Sequence, residues 1–139
     1  MEEGDTMYNV KVYDSVTEGN KHITPHFQVK EFACSDGSRV VFISEDLVNL
    51  LENIRVHYGK PLHINSAYRT VTYNSKVSGS SSNSMHTYGL AADIWVEGVA
   101  VNALHAYVCE ALGNHGGVGI YNTFVHVDMR SLKSRWDKR

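Results

Sequence analysis

The chain of 139 residues carries only two cysteines, Cys34 and Cys109. They are too few for a disulfide framework and lack the paired spacing of a thiolate zinc site, so both are expected to be free thiols. Cys34, within Ala33-Cys34-Ser35, reads as a buried structural residue rather than a nucleophile. The first thirty residues lack an apolar run like the core of a signal peptide, and no later stretch is long enough to span a bilayer. Synthesis in the cytoplasm with no membrane insertion is the expectation. An excess of charge is also missing: 13 basic residues against 15 acidic ones give a net charge of −2, which offers nucleic acid no footprint. The basic tail Lys133 to Arg139 reads as a solvated end. Neither a GxSxG elbow nor a phosphate-cradling glycine loop occurs, so serine hydrolysis and nucleotide chemistry have no foothold. There are no internal repeats and no linker. With 42% hydrophobic residues, the length fits one globular domain with a core of its own, and the oligomeric state stays open.

What is present is first a helix over Glu45 to Tyr58. Ser44 is its N-cap, Glu45 and Asp46 fill its first turn, and Gly59 and Pro61 end it. Leu47, Leu50, Leu51 and Ile54 form the apolar stripe of a helix packed on a core. A second helix is predicted from about Val101 to Leu112, presenting Leu104, Val108, Ala111 and Leu112 and ending at Gly113. Strands are read at Asn9 to Tyr13, Val40 to Ile43, Leu62 to Ala67, Leu90 to Val96, Val118 to Tyr121 and Phe124 to Met129. The last two form a hairpin through Asn122-Thr123. Between Thr70 and Ser84 the chain is polar and serine-rich, with one helical turn expected around Tyr73 to Val77. The predicted fold is α+β, an antiparallel sheet covered by helices mainly on one side.

The chemistry concentrates in Ser84-Met85-His86-Thr87-Tyr88-Gly89-Leu90-Ala91-Ala92-Asp93 and in Phe124-Val125-His126-Val127-Asp128. Two imidazoles and one carboxylate are ligands that suit zinc, and a hydrolytic zinc keeps its fourth position for water. His86 and Asp93 are seven apart, an offset that places them on opposite faces of one regular strand. The polar loop and Gly89, which lets the backbone turn, remove that objection. In the second strand Phe124, His126 and Asp128 share a face, so the three ligands converge if the two strands are neighbours. On residue types alone, a metal-free polar cluster, a closed structural zinc site and a two-histidine, one-carboxylate iron site remain alternatives. His22, His26, His57, His63 and His105 read as ordinary surface or hydrogen-bonded histidines. His115, before Gly116-Gly117, is a candidate support for the ligands. Arg69 opens the polar loop, and its planar fork suits a substrate carboxylate or carbonyl. Ser84, Tyr68 and Ser66 are candidates to line the same pocket.

The pattern of Ser84, His86, Gly89, Ala91 and Asp93 has Ser66-Ala67-Tyr68-Arg69 upstream and Gly117-Val118-Gly119-Ile120-Tyr121 leading into Phe124-Val125-His126-Val127-Asp128. It resembles the D-alanyl-D-alanine carboxypeptidase family, part of the wider group of zinc peptidases that includes lysostaphin-type enzymes and the hedgehog signalling domain. The resemblance runs from Phe27 to Trp136 and takes in Phe32-Ala33-Cys34-Ser35-Asp36-Gly37. It implies a zinc peptidase domain over 27–139, with 1–26 as an N-terminal extension or added strand. It further implies Zn²⁺ held by His86, Asp93 and His126, with Arg69 holding substrate. The activity implied is hydrolysis of peptidoglycan stem peptides or their cross-links, by an endolysin-like protein. With no leader read in the sequence, delivery to the wall is expected through phage-type release, or else through a leader or wall-targeting domain outside this sequence. Many relatives place an acidic general base three residues before the last histidine, where this chain has Thr123. Asp128 is then the candidate base, or else a carboxylate that orients a ligand. That departure keeps open a rival of another class, a non-catalytic zinc-stabilised module binding peptidoglycan or a protein partner.

Overall fold

The fourth strand and the first long helix meet at a single residue, Ser44. In the computed structural model, which describes residues 9–77, 79–81 and 84–139, strand β4 (Val40–Ser44) runs straight into helix α1 (Glu45–Tyr58). Ser44 closes the helix start by accepting from the Leu47 amide at 3.2 Å, and Gly59 ends it in the left-handed conformation at φ 63°. The buried stripe is Leu47, Val48, Leu51 and Ile54. Val48 takes the place expected for Leu50, which is only half-buried. Residues 1–8 of the expected N-terminal extension, and 78, 82 and 83 of the polar loop, lie outside the described residues.

Ahead of α1, strand β1 (Val10–Asp14) pairs antiparallel with β4, and β2 (His22–Thr24) pairs with β3 (Phe27–Gln28). The segment before residue 27 therefore contributes two strands, of which the sequence announced one. Beyond α1 come β5 (Leu62–Ser66), a single helical turn α2 (Val71–Asn74) and β6 (Ala91–Val96). Helix α3 (Val101–Leu112), β7 (Gly117–Ile120), β8 (Val125–Asp128) and β9 (Ser134–Asp137) complete the chain. The turn α2 begins two residues earlier than expected, where the Thr70 hydroxyl accepts from the Tyr73 amide.

The central sheet has the order β5-β6-β8-β7-β9. Its first three ladders are antiparallel, but β9 joins β7 in parallel, so the sheet is mixed rather than purely antiparallel. The basic tail is therefore a solvated end only in part: Lys133, Lys138 and Arg139 are exposed, while Ser134–Asp137 is an edge strand with Arg135 and Trp136 half-buried. Arg135 makes the difference by donating to the carbonyls of Gly113, His115 and Gly116 just past the end of α3. Exposed carbonyls at a helix C-terminus are where a cation is favoured.

Period-two alternation then divides the sheet's residues between two faces. Ala92, Ile94 and Val96 of β6, Val118 of β7 and Val125 and Val127 of β8 belong to the core cluster that also contains the buried residues of α1 and α3. The opposite face carries Asp93, His126 and Asp128, with the side-chain-free Gly117 and Gly119 beside them. One face is thus a conventional apolar core, and the other displays the polar cluster.

Candidate metal centre

A cross-strand row assembles the site. The register pairs Ser66 with Asp93, Asp93 with His126, His126 with Gly119, and Gly119 with Trp136. Adjacent strands are about 4.8 Å apart, so residues directly opposite one another bring their side chains together. A register shift between Ile64 and Ser66 brings Ser66 opposite Asp93. His86 arrives differently, from a 3-10 turn over Met85–Tyr88 capped by Ser84, whose hydroxyl accepts from the His86 amide at 3.2 Å. Gly89 then reverses the chain at φ 75°, and a Cβ there would fall 2.5 Å from the Phe42 carbonyl oxygen. Only glycine meets both conditions. The seven-residue offset between His86 and Asp93 is bridged as the sequence requires.

His86, Asp93 and His126 are 3%, 8% and 8% exposed, and one ligand atom from each lies within 4.8 Å of the others. The imidazoles are oriented from behind. The Ala67 carbonyl, which can only accept, sits 2.7 Å from His86 Nδ1, so that nitrogen carries the proton and Nε2 is left with its lone pair. Nε2 lies 3.3 Å from Asp93 Oδ1. His126 is held in the opposite sense: Nε2 is 2.8 Å from Asp128 Oδ2, and Nδ1 is 3.0 Å from Asp93 Oδ1. His86 Nε2, His126 Nδ1 and Asp93 Oδ1 therefore face one point. The donor set fits a divalent cation of the zinc type, with each imidazole fixed through its other nitrogen.

The electrostatics of the cluster are steep. Burial opposes ionisation of Asp93, yet the hydrogen bonds and charge of His126 and His86 outweigh it and hold its pKa far below the usual carboxylate range. Burial likewise opposes the charged form of Asp128, and His126 with Arg130 overcomes it in the same direction. For His126, burial disfavours the imidazolium, but Asp128 and Asp93 prevail and raise its pKa.

Asp128 is fully buried and saturated. Oδ1 accepts from the Gly117 amide, the Arg130 amide and Arg130 Nε, while Oδ2 accepts from Arg130 Nη2 at 2.7 Å and faces His126. Arg69 also lies in the cluster, donating to Ser66 Oγ at 3.0 Å, to Asn74 Oδ1 at 3.2 Å and to Asp93 Oδ2 at 3.4 Å. Asn74, 2% exposed, passes this contact on by donating to the Ser81 carbonyl. The guanidinium is thus fixed between the Asp93 carboxylate and the serine loop.

A cleft of about 770 Å³ opens over the cluster. Arg69, Ser84, His86, Asp93 and His126 line it, as do Tyr121, Phe124, Arg130, Trp136 and Lys138 from the far side. Ser66 stands beneath Arg69 rather than in the lining. Tyr68 is not brought to the cleft; it is buried in the core, edge-to-face with Phe42 at 5.1 Å. His115 is exposed and borders a different depression between α1 and α3, away from the ligands. His26 and His63 pair with Glu52 and Glu97, and His57 stacks on Tyr107. Cys34 is buried and free. Thr123 sits exposed in the β7–β8 turn.

Sequence reasoning missed Asn74, Arg130 and Trp136. Asn74 gives no local signal, because a buried amide at a helix end reads like any turn residue. Arg130 and Trp136 follow the last recognisable strand in a segment whose polarity suggested solvent. No curated protein matches the chain at a significant level. A family model described as Peptidase M15 matches residues 25–128, well over half the chain and a span containing His86, Asp93 and His126, and the chain therefore belongs to the peptidase M15 family.

Proposed function

We propose that this protein is a zinc-dependent peptidase acting on the stem peptides or cross-links of peptidoglycan, built on the fold shared by lysostaphin-type and hedgehog-like zinc domains. The observation that carries the proposal is the buried cluster of two imidazoles and a carboxylate aimed at one point within a family of metal-dependent peptidases. His86, Asp93 and His126 would hold the ion, and the Ala67 carbonyl and Asp128 would keep the two rings in the ligating orientation. Zinc, when bound, supplies a Lewis acid that polarises a scissile carbonyl and makes water acidic enough to attack near neutrality. Arg69 lines the cleft with each guanidinium nitrogen already donating once, to Ser66, Asn74 and Asp93, and the remaining N–H groups of Nη1 and Nη2 would orient a substrate carboxylate or carbonyl. Arg69, Arg130 and Lys138 outnumber Asp93 among the charged groups lining the cleft, which suits the carboxylates that cell-wall peptides carry. Delivery to the wall after phage-type release belongs to the same reading.

One observation favours a second reading, a zinc-stabilised module that binds peptidoglycan without cutting it. Among the described residues lining the cleft, Asp93 is the only carboxylate, and Asp128 has its oxygens occupied by Arg130, Gly117 and His126. Incubating zinc-loaded protein with defined muropeptides and weighing the products separates the two. Loss of terminal D-Ala, of a cross-link or of the L-Ala-D-Glu bond establishes the peptidase and names its bond. Intact muropeptides retained by zinc-bound protein establish the module.

A further inference from the structure

We propose that Trp136 is a positioning residue for the His126 imidazole, supplied by a strand that follows the family-matched segment. The inference rests on the metal-site reading of His86, Asp93 and His126. The matched span ends at residue 128, whereas β9 covers Ser134–Asp137.

Trp136 and His126 stand two strands apart, with Gly119 between them in both ladders. Two strand spacings are close to 10 Å, so an ordinary residue at position 119 would put its own side chain in the gap. Glycine leaves the gap free. A Cβ built at Gly119 would collide with indole atoms Nε1, Cε2 and Cζ2 of Trp136, so the ring occupies the space that a side chain would take. Reaching across the glycine, the indole comes to 5.1 Å from the His126 ring, centroid to centroid, at an interplanar angle of 46°. That separation lies within the range of favourable aromatic pairs.

The indole is itself held. Its Nε1 donates to the Tyr121 hydroxyl at 3.0 Å, and Tyr121 stacks on Phe124 across the hairpin at 4.4 Å. The Arg130 guanidinium lies 5.4 Å from the Trp136 ring centroid. This arginine also grips both oxygens of Asp128, the carboxylate that meets His126 Nε2. One residue therefore connects the two restraints on the imidazole. The second restraint is needed because the final torsion of a histidine has broad, roughly two-fold wells. With Nδ1 given over to the ion, the hydrogen bond at Nε2 alone would let the ring swing about that contact, and the indole wall limits the swing, keeping Nδ1 aimed at the point it shares with His86 Nε2 and Asp93 Oδ1.

The test is the zinc dissociation constant, measured by competition with a chromophoric chelator on Trp136→Leu, Trp136→Phe, Gly119→Ala and wild type, with the melting temperature of each metal-free protein beside it. Loss of a group that orients a ligand typically weakens metal binding by about 10–100-fold. Trp136→Leu is expected to fall in that range, whereas Trp136→Phe, which keeps a flat ring, retains most of the affinity. Gly119→Ala, which leaves the indole in the chain but displaces it, is expected to follow Trp136→Leu. Equal affinities for the leucine and phenylalanine variants, or affinity that simply tracks metal-free stability, would reduce Trp136 to packing and overturn the inference. Wild-type affinity in Trp136→Leu overturns it outright while the metal-site reading stands. A wild-type protein that takes no zinc overturns both.

Discussion

At the residue scale the candidate metal centre is defined less by its three converging side chains than by what fixes them. Asp128 is the sharpest case: both of its oxygens are occupied and one faces His126 Nε2, which favours the orienting role over the base in the proposed mechanism. Asp128→Asn is therefore expected to weaken zinc binding by about 10–100-fold while activity recovers substantially at saturating zinc. Titrating activity against free zinc checks this, and a rate deficit of about a hundredfold or more that persists at saturation would make Asp128 the base after all. Arg69 acts at the opposite edge. Its fork bridges Ser66, Asn74 and Asp93, an arrangement that a lysine's single ammonium cannot reproduce. Arg69→Lys is expected to lose much of kcat/KM on a stem peptide and Arg69→Ala more, with zinc content unchanged in both. Equal kcat/KM in all three proteins would make Arg69 a bystander.

At the level of elements, legibility followed periodicity. Helix α1 was readable to the residue because Ser44, an acidic first turn and Gly59 bracket an apolar stripe, and α3 because Gly113 closes a second one. Strand β6 was readable as an apolar run behind the Gly89 turn, and β8 because alternation separates Val125 and Val127 from His126 and Asp128. The parallel strand β9 was not. Ser134-Arg135-Trp136-Asp137 has no apolar alternation, its partner β7 is distant in pairing logic, and its arginine is used by the α3 carbonyls, a tertiary interaction invisible locally. Tyr68 was misplaced for a related reason: its phenol suggested a pocket, but the chain turns it onto Phe42 in the core. The link between the His86 turn and β6 is testable through its glycine. Gly89→Ala combines a left-handed φ with a backbone collision against Phe42, whereas Gly59→Ala has a left-handed φ and open space. Gly59→Ala is expected to lose about 1–2 kcal/mol by strain alone. Gly89→Ala should lose clearly more, together with zinc affinity, because His86 and Asp93 stand on either side of it. Denaturant melts of the two variants compare them directly, and equal losses would show that the approach to Phe42 relaxes freely.

For the whole molecule, the site ties together segments that only the folded chain brings into contact. His86 comes from a turn beside the polar loop, Asp93 from β6 and His126 from the β7–β8 hairpin, while the helices that seal the opposite face of the same sheet carry no ligand. An unfolded chain holds no such cluster, so an ion that binds it favours the folded state by mass action. At free zinc a hundred times the dissociation constant the gain is about 2.7 kcal/mol. For a domain of roughly this size each kcal/mol corresponds to a few degrees of melting temperature. Calorimetric scans should therefore show the transition rising by about 5–10 °C between chelator-treated and zinc-loaded protein. The shift should disappear in His86→Ala, Asp93→Ala and His126→Ala but persist in His57→Ala and His105→Ala. His57 stacks on Tyr107 and His105 contacts Cys109, so both lie outside the cluster. A melting temperature indifferent to zinc and chelator in the wild-type protein would mean that the converging nitrogens form a proton-bridged polar cluster and not a metal centre. A shift that survives His126→Ala would instead move the third ligand elsewhere in the cleft.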